Sequence, residues 1–346
     1  MPLDYSHFRA NGFNKGVSAK QAALSLNRLE TVGLPPFFDI KNISVHVEVP
    51  SKELASMVNA TNQFYRTFYV SKRSGGLRQI DSPYPSLAAV QSWISHHIAE
   101  RLPVHQAAKA YRSSTSIRDH IIPHCGKPEL LKIDIKDFFP SITKTRILDL
   151  FRSNGYTSKA ANLLAALVTV NGCLPQGGRT SPALSNNICF FLDEKLSSIA
   201  KKHEITFTRY ADDFAFSGEK INSDFIAAIE EIFEAEEFHI HPQKTRHYRS
   251  TEKIRSLTGV VIEEHKLSPP KELRRFIRQK IFYLEKYFSS DLDDAKNSKE
   301  KSEILKNPFL LDSLRGKILY WLWLDPKDEK AKESLIKFNL IESMLL

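Results

Sequence analysis

Two adjacent aspartates in the tetrapeptide Tyr210-Ala211-Asp212-Asp213 carry the strongest chemical signal in this chain. Like charges a few ångströms apart disfavour joint ionisation, and a divalent cation is the natural partner that neutralises them. The flanking residues alternate between apolar and smaller side chains, which is the period-two pattern of half-buried strands. The pattern predicts a β-hairpin with the tetrapeptide at its tip, which we call the acidic turn. An ordinary solvated turn is the competing interpretation, because aspartate is common in turns.

A third carboxylate, Asp134, is predicted at the end of an upstream strand. The segment of residues 131–140 begins with strand-like alternation and ends at two aromatic residues and Pro140, where a proline stops a strand ladder. Mg²⁺ takes one or two carboxylates plus substrate phosphates, so a two-metal site for phosphoryl transfer needs acids from separate strands. Asp134, Asp212 and Asp213 supply such a set, and we predict that they are the catalytic residues and hold two Mg²⁺ ions.

Other elements that must position these acids also leave patterns in the sequence. Residues 69–80 read as a strand, a Gly-Gly turn and a second strand, with cations on both arms. Residues 266–290 contain more cations than acids. Within them, Ser268-Pro269-Pro270 opens a segment whose apolar residues recur at three- and four-residue spacing, which predicts a basic amphipathic helix. Further helices are predicted over residues 18–29, 51–58, 87–102, 310–324 and 329–345, and a loop over residues 291–306.

Two short sequence motifs lie between Asp134 and the acidic turn. A Pro-Gln-Gly sequence with Gln176 at its centre is followed by Ser181-Pro182, and both lie between Asp134 and the acidic turn. This order resembles that of reverse transcriptases, which carry one Asp on a first palm strand and a Tyr-Ala-Asp-Asp box on a hairpin. The resemblance implies an α+β right-hand polymerase architecture, with fingers and palm, an antiparallel palm sheet and a helical thumb. It also implies RNA-directed DNA polymerase activity, dNTP substrates and two Mg²⁺ ions.

The same resemblance implies roles for five residues around the three aspartates. Lys72 and Arg78, on the two arms of the basic hairpin, match positions that close over the incoming triphosphate. Phe139 matches the bulky residue beneath the sugar, where an aromatic ring excludes a 2′-hydroxyl and selects deoxynucleotides. Gln176 would help to position the templating base or the incoming nucleotide. Lys244 would lie near the leaving pyrophosphate, as an acid or as a counter-charge. Without the resemblance, the hairpin reads as a solvated edge and Phe139 as a core residue.

The motifs divide the predicted architecture into four parts. Residues 1–60 form an N-terminal helical lead-in, 61–130 the fingers, 131–265 the palm with finger-side helices between 141 and 173, and 266–346 a basic helical thumb. One face of the first thumb helix is expected to pack on the palm, while Arg274, Arg275 and Arg278 meet RNA in a template-primer duplex. The net charge of +9 suits a polyanionic partner, although a basic composition also serves solubility.

Two further boxes resemble those of bacterial retron-type reverse transcriptases. The first falls where retron enzymes carry Asn-Ala-x-x-His: His124 matches, while His120 and Ile121 replace Asn-Ala. Thr258 and Gly259 lie in a segment similar to the retron Val-Thr-Gly box. The resemblance implies that His124, Thr258 and Gly259 contact RNA. It also implies that the enzyme copies part of its own structured non-coding RNA into a branched RNA-DNA product.

The retron type implies partners as well as a product. The cognate RNA would be recognised by shape, and a separately encoded effector or toxin protein would act with the enzyme in antiphage defence. An intron-derived or abortive-infection reverse transcriptase and a non-catalytic RNA-binding scaffold are the alternatives. The cysteines lack metal-ligand spacing, and neither a signal peptide nor a membrane span is recognisable, so we expect a cytoplasmic protein with reduced thiols and no membrane partner.

Overall fold

The computed structural model describes residues 19–72, 75–289 and 309–343, which fall into two compact units. The first unit contains the described residues up to His120 together with residues 131–246. The second contains residues 121–130 and the described residues from His247 onward. The three predicted catalytic aspartates belong to the first unit, and the residues predicted to contact RNA belong to the second.

The first unit begins with helices and a hairpin. Helix α1 spans Ala19–Val32, α2 Ile40–Val47 and α3 Ser51–Asn59, and strands β1 (Tyr65–Ser71) and β2 (Leu77–Pro83) follow. The side chain of Asp39 caps α2 by accepting hydrogen bonds from the amides of Lys41 and Asn42. β1 and β2 pair antiparallel along their whole length, from Tyr65 opposite Pro83 to Ser71 opposite Leu77. The predicted basic hairpin is therefore confirmed.

Asp134 and the acidic turn share one sheet. Strands β3 (Glu129–Asp134), β4 (Thr206–Tyr210), β5 (Asp213–Gly218) and β6 (Arg246–Tyr248) form it in the order β4-β5-β3-β6. β4 and β5 pair antiparallel up to Tyr210 opposite Asp213, so residues 211 and 212 make the connection. Phe207 stacks on Phe216 across this hairpin, with ring centroids 4.8 Å apart. The hairpin predicted from alternation is confirmed.

Helices and the sheet enclose the core of the first unit. The helices are α4 (Pro85–His97), α5 (Ile117–Ile121), α6 (Phe138–Ser141), α7 (Lys144–Ser153), α8 (Ser158–Val168), α9 (Ser181–Ile188), α10 (Phe190–Lys202) and α11 (Ser223–Ala235). Ile133 and Phe214 of the sheet lie in one cluster with Leu164, Leu192 and Phe225 of the helices. Each large apolar side chain buried in this way stabilises the fold by roughly 1.5–3 kcal/mol.

The strand through Asp134 is shorter than the sequence suggests. β3 ends at Asp134 itself, and Phe138–Ser141 form a helical turn instead of continuing the strand. Asp137 adopts a φ of 48°, which redirects the chain between the two elements. Pro140 lies in the first turn of the helix, where its missing amide is not needed. The expectation that Pro140 stops a strand is therefore wrong.

The helix predicted over residues 87–102 is displaced. It begins at Pro85, because proline suits the first helical positions, and it ends at His97. Ala99–Arg101 continue as a separate 3₁₀ turn.

The second unit combines a small sheet with a helical cluster. Strands β7 (Ile254–Leu257), β8 (Val260–Glu263) and β9 (Lys266–Ser268) pair antiparallel in that order, and helices α12 (Lys271–Ser289), α13 (Leu310–Leu324) and α14 (Glu329–Ser343) follow. Ile277 and Ile281 of α12 lie in one buried cluster with Ile318 and Trp321 of α13 and Phe338 of α14. Across the described ranges, no helix combines the length and the apolar character that crossing a bilayer requires.

The basic helix begins directly after two prolines. The helical pattern predicted to open at Ser268-Pro269-Pro270 begins as a helix at Lys271, and Lys266–Ser268 before it pair as β9. Its buried residues Ile277 and Ile281 pack with α13 and α14, and the expected packing of one face on the palm stays a prediction. The loop predicted over residues 291–306 lies outside the described residues.

Candidate active site

The acidic turn depends on a left-handed residue. Ala211 has a φ of 56°, between the last β4 residue, Tyr210, and the first β5 residue, Asp213. The left-handed region costs a residue with a Cβ about 1–2 kcal/mol. Such a conformation persists only where the surrounding structure over-determines it. Contacts around the turn must therefore fix its shape.

The end of β3 is tied directly to this turn. The amide of Ile135 donates to the carbonyl oxygen of Asp212 over 3.3 Å, and the amide of His241 donates to the carbonyl oxygen of Asp134 over 2.8 Å. Ile135 also forms an isolated antiparallel bridge with Ile240. Asp134 is thus held between the acidic turn and the segment that leads to Lys244. The structure brings together aspartates that are far apart in the sequence.

Two lysines neutralise two of the three carboxylates. Lys244 Nζ lies 2.8 Å from Asp134 Oδ1, and Lys132 Nζ lies 2.9 Å from Asp213 Oδ1. Burial, and then the negative charges of Asp213 and Asp134, raise the pKa of Asp212 to about 6. The site therefore carries a surplus of negative charge that a further cation would relieve.

The chemistry of this donor set fits a divalent metal ion. Carboxylate oxygens are the ligands that Mg²⁺ prefers, and burial, followed by the charges of the other two aspartates, raises the pKa of Asp212. Among the residues that the structure describes, no group of three or more His, Cys, Asp or Glu side chains is already arranged around one metal position. In this conformation two of the carboxylates are held by lysine ammonium groups instead.

The residues predicted to hold the triphosphate lie on the β1–β2 hairpin. Arg78 stands opposite Val70 in the ladder, and the amide of Lys72 donates to the carbonyl oxygen of Gly76 over 3.0 Å. Both cationic side chains are exposed, as is most of the hairpin. They are therefore accessible to an anionic ligand.

Tyr111 is a site residue that sequence reasoning missed. It has a φ of 59°, and the neighbouring amide of Lys109 donates to the carbonyl oxygen of Arg209 over 2.7 Å, which aligns this segment with β4. Although Tyr111 is 46% exposed, partial burial and then the charge of Asp212 raise its pKa to about 12, while Arg209 and Arg78 oppose the shift. The phenol thus lies within electrostatic reach of both the acidic turn and the basic hairpin. No local sequence pattern marks this proximity.

The loop that carries Gln176 is docked on β2. The carbonyl oxygen of Gln176 accepts from the amide of Asp81 over 2.9 Å. Gly177 has a φ of 124°, and a Cβ there would lie 2.9 Å from the carbonyl oxygen of Asp81. Only glycine permits so close an approach of the two backbones.

A buried glutamine supports the same loop from behind. Gln91 accepts from the amide of Arg179 over 3.1 Å and donates to the hydroxyl of Tyr65 over 2.6 Å and the carbonyl oxygen of Leu167 over 2.9 Å. Its side chain is fully buried, so these hydrogen bonds replace the ones that its amide would otherwise make with water. Sequence reasoning did not find this role, because its partners are distant in the chain.

Phe139 is half-buried at the start of α6. Its ring packs edge-to-face on Phe138, with centroids 5.4 Å apart, and borders the main core cluster. One side of the ring is therefore supported by the core and part of it remains exposed. Both the predicted steric role and a packing role are compatible with this position.

His124 is placed differently from the prediction. Its side chain has no exposed surface, and burial together with the nearby charge of Arg255 lowers its pKa to about 3. A neutral, fully enclosed imidazole presents nothing to RNA. The predicted direct contact of His124 with RNA is thus not supported by the structure, and the residue belongs to the interior of the second unit.

Thr258 and Gly259 form the turn between β7 and β8. They have φ values of 49° and 77°, as expected for a tight hairpin turn. Gly259 is exposed and Thr258 is half-buried. The turn is accessible, and its predicted contact with RNA stays a prediction.

The three arginines of α12 are not equivalent. Arg275 and Arg278 are exposed. Arg274 is more buried, and its guanidinium lies 3.8 Å from the Glu263 carboxylate. Two of the predicted contacts are thus freely accessible, while Arg274 also has a structural partner.

Comparison with known proteins shows the family of this chain. The profile of a family described as "Reverse transcriptase (RNA-dependent DNA polymerase)" matches residues 70–262. The match covers more than half of the chain and includes Asp134 and the acidic turn, and the chain belongs to this family.

The similar proteins make the resemblance more specific. The retron Mx162 reverse transcriptase of Myxococcus xanthus is 36% identical over 232 residues, which cover 58% of this chain and 48% of that protein. The retron Ec86 reverse transcriptase of Escherichia coli is 29% identical over 280 residues, covering 79% of this chain and 86% of that protein. The chain thus spans about half the length of the first relative and most of the second. The predicted resemblance to the bacterial retron type is confirmed.

A solved structure is also similar. It is that of telomerase from Candida albicans with a fragment of telomeric RNA, at 11% identity and a TM-score of 0.43, covering 80% of this chain and 63% of that one.

Proposed function

We propose that this protein is an RNA-directed DNA polymerase of the retron type, which copies part of a cognate structured RNA into single-stranded DNA. The main support is the hydrogen bond from the Ile135 amide to the carbonyl oxygen of Asp212, which joins the end of β3 to the acidic turn. It brings Asp134 beside Asp212 and Asp213, where burial, and then the negative charges of Asp213 and Asp134, raise the pKa of Asp212 to about 6. A scaffold that only binds RNA has no need of this costly cluster.

Asp134, Asp212 and Asp213 would hold the metal ions. Two Mg²⁺ ions, when bound, would lower the pKa of the primer 3′-hydroxyl and neutralise charge on the transferred phosphate. Lys244 would then be released from Asp134 and become available to the pyrophosphate group. Its side chain is about half exposed, which supports such a movement.

The remaining residues of the site would bind and select the nucleotide. Lys72 and Arg78 would contact the triphosphate from the exposed hairpin, as their charge and accessibility allow. Phe139 would lie under the sugar and exclude a 2′-hydroxyl. Gln176 would contact the nascent base pair from a loop that Asp81 and Gln91 keep in place.

The RNA partner would be bound chiefly by the second unit. Arg275 and Arg278 on α12 would contact phosphates, and the turn at Thr258 and Gly259 would contact an RNA stem by shape. The retron names of the relatives support an RNA of this class. The antiphage role and the effector or toxin partner that the resemblance implies stay predictions.

Replacing single aspartates tests the catalytic proposal. Asp212→Asn and Asp213→Asn should abolish cDNA synthesis on a primed RNA template while RNA binding stays near the wild-type level, because the basic surface is untouched. Asp149→Asn is a matched control, since Asp149 is an exposed helix residue whose carboxylate lies 3.7 Å from the Arg152 guanidinium. Wild-type extension by both active-site variants would refute the proposal.

Nucleic acid that co-purifies with the protein tests the retron type. We expect an RNA joined through a branch to a short DNA, which sequencing with and without ribonuclease and debranching treatment would reveal. Recovery of DNA without any linked RNA would instead favour a reverse transcriptase of the abortive-infection kind, and a spliced intron RNA would favour an intron-derived enzyme.

A further inference from the structure

A buried ion pair contacts the acidic turn. Arg209 is the residue before Tyr210, and Asp193 is on α10; both side chains are fully buried. Arg209 Nε donates to Asp193 Oδ1 over 2.7 Å, and Arg209 Nη2 donates to Asp193 Oδ2 over 2.6 Å. This is a bidentate ion pair, in which two N–H groups of the guanidinium donate to the two oxygens of one carboxylate.

The third nitrogen of the guanidinium reaches the turn itself. Arg209 Nη1 donates to the carbonyl oxygen of Ala211 over 3.2 Å. Ala211 is the left-handed residue of the acidic turn, with a φ of 56°. A single guanidinium thus joins α10 to the strained residue that precedes Asp212.

The backbone of Arg209 is fixed as well. Its amide donates to the carbonyl oxygen of Ala107 over 2.8 Å, and its carbonyl oxygen accepts from the amide of Lys109 over 2.7 Å. Because hydrogen bonds to Ala107 and Lys109 hold its backbone and Asp193 holds its guanidinium, Nη1 can move little. The bond to Ala211 is therefore preorganised.

Stability alone does not explain this arrangement. Burial disfavours charge on Arg209, although the Asp193 carboxylate more than offsets this and keeps the guanidinium pKa above its ordinary value. A buried ion pair can often be replaced by apolar residues of similar volume with no loss of stability. An apolar pair could fill the space but could not hold the Ala211 carbonyl oxygen. The specific contribution of the pair is that hydrogen bond.

We propose that Asp193 and Arg209 are positioning residues of the polymerase site, which hold Ala211 in its left-handed conformation and so set the placement of Asp212 and Asp213 toward their metal ions. The proposal rests on the proposed function for its catalytic consequence. Its structural consequence, the shape of the acidic turn and its affinity for a divalent cation, can be measured without any polymerase assay.

Two sets of variants separate positioning from stability. Asp193→Asn keeps the shape of the side chain but removes its charge and one acceptor oxygen. The double variant Arg209→Met/Asp193→Leu replaces the pair with apolar side chains, which should preserve folding while deleting the bond to Ala211. Glu236→Gln is the matched control, because it also converts a carboxylate to an amide and breaks an ion pair to α10, that with Lys195.

The main readout is Mn²⁺ affinity measured by electron paramagnetic resonance on protein whose folding is checked by circular dichroism. We expect about a 10- to 100-fold loss of affinity in Asp193→Asn and in the double variant, the range found when groups that orient metal ligands are removed, and no change in Glu236→Gln. Hydrogen exchange at the Ile135 amide, which donates to Asp212, should accelerate in the same two variants.

Polymerase kinetics complete the test. The defective variants should lose kcat while the KM for dNTP changes little, because the nucleotide-binding cations are not touched. A folded double variant with wild-type Mn²⁺ affinity and wild-type exchange at Ile135 would overturn the proposal. If the wild-type protein itself did not polymerise, the proposed function would fail, while the Mn²⁺ and exchange measurements would still decide the role of the pair.

Discussion

At the scale of single residues, charge balance organises the candidate site. Three carboxylates share a small volume, and Lys132 and Lys244 each lie within 3 Å of one of them, at 2.9 Å and 2.8 Å. The aspartates were predictable from sequence, because adjacent acids on a turn signal a cation partner. The role of Lys132 was not, since nothing in the sequence shows which carboxylate a lysine two residues before Asp134 will reach.

This balance leads to a prediction for Lys132→Met. Without the ammonium group, Asp213 loses its counter-charge, and the free energy of unfolding in EDTA should fall by about 1.5–3 kcal/mol, as for other hydrogen bonds to charged groups. Saturating Mg²⁺ should reduce the deficit, because a cation bound only by the folded protein stabilises it. Thermal unfolding in EDTA and in Mg²⁺ measures this, with Lys136→Met, an exposed neighbour, as the control. An equal deficit under both conditions would contradict the prediction.

His124 gives a prediction about pH. Its pKa in the folded protein is about 3 and its ordinary value is 6.5, so the unfolded chain takes up the proton first as the pH falls. The stabilising contribution of neutral His124 to the free energy of unfolding is therefore fully present above pH 6.5. It is lost progressively as the pH falls from 6.5 to about 3. From pH 7 to pH 5, this single group should lower the free energy of unfolding by about 2 kcal/mol.

The test compares wild type with His124→Asn by denaturant unfolding at pH 7, 6 and 5, following a probe in the second unit such as the fluorescence of Trp321. The variant should show a shallower loss of stability toward low pH, even if it is less stable throughout. His96→Asn is the control, because His96 is exposed and its ring nitrogen lies 3.2 Å from the Glu100 carboxylate on the same surface. Parallel curves for wild type and His124→Asn would refute the buried neutral imidazole.

At the scale of elements, the sequence predicted what local patterns encode and missed what tertiary contacts impose. The hairpin of the acidic turn followed from period-two alternation, and the basic hairpin followed from a Gly-Gly turn between two strand-like runs. Helix α13 was predicted with its observed bounds, Leu310–Leu324. The helical turn at Phe138–Ser141 was not predicted, because an apolar pair after a strand has no period of its own. The docking of β2 on the Gln176 loop was also invisible, since it joins backbones that are distant in the chain.

That docking predicts the effect of Gly177→Ala. The new Cβ would lie 2.9 Å from the Asp81 carbonyl oxygen, at a φ of 124° that only glycine adopts readily. We expect a loss of about 2–4 kcal/mol from strain and overpacking together. The KM for dNTP should also rise, because the Gln176 loop would shift. Gly172→Ala is the matched control: it too has a positive φ, of 80°, but its Cβ would meet nothing within 4 Å.

Chemical denaturation and steady-state extension kinetics measure the two effects. The control should show only the cost of its backbone conformation, about 1–2 kcal/mol, with an unchanged KM. Equal behaviour of Gly177→Ala and Gly172→Ala would mean that the contact with β2 does not matter for the site.

At the scale of the whole molecule, the net charge of +9 is informative only when its location is known. The acids of the candidate site and the accessible cations of α12 belong to different units. Composition predicted a polyanionic partner, and the amphipathic pattern predicted which helix would present cations to it. Side-chain exposure then separates Arg275 and Arg278 from Arg274, which lies near Glu263.

The last prediction concerns the salt dependence of RNA binding. Each phosphate contact releases a counterion, so the logarithm of the binding constant falls linearly with the logarithm of salt concentration. Arg275→Gln together with Arg278→Gln should weaken binding to a structured RNA and reduce this slope by about 2, one for each lost contact. Lys201→Gln with Lys202→Gln removes the same charge from exposed positions on α10 and should leave the slope nearly unchanged. Fluorescence anisotropy from 50 to 300 mM salt, roughly the range over which such contacts weaken, measures both slopes. If the α10 pair lowered the slope and the α12 pair did not, the RNA would have to be held by the first unit, and the role proposed here for α12 would be wrong.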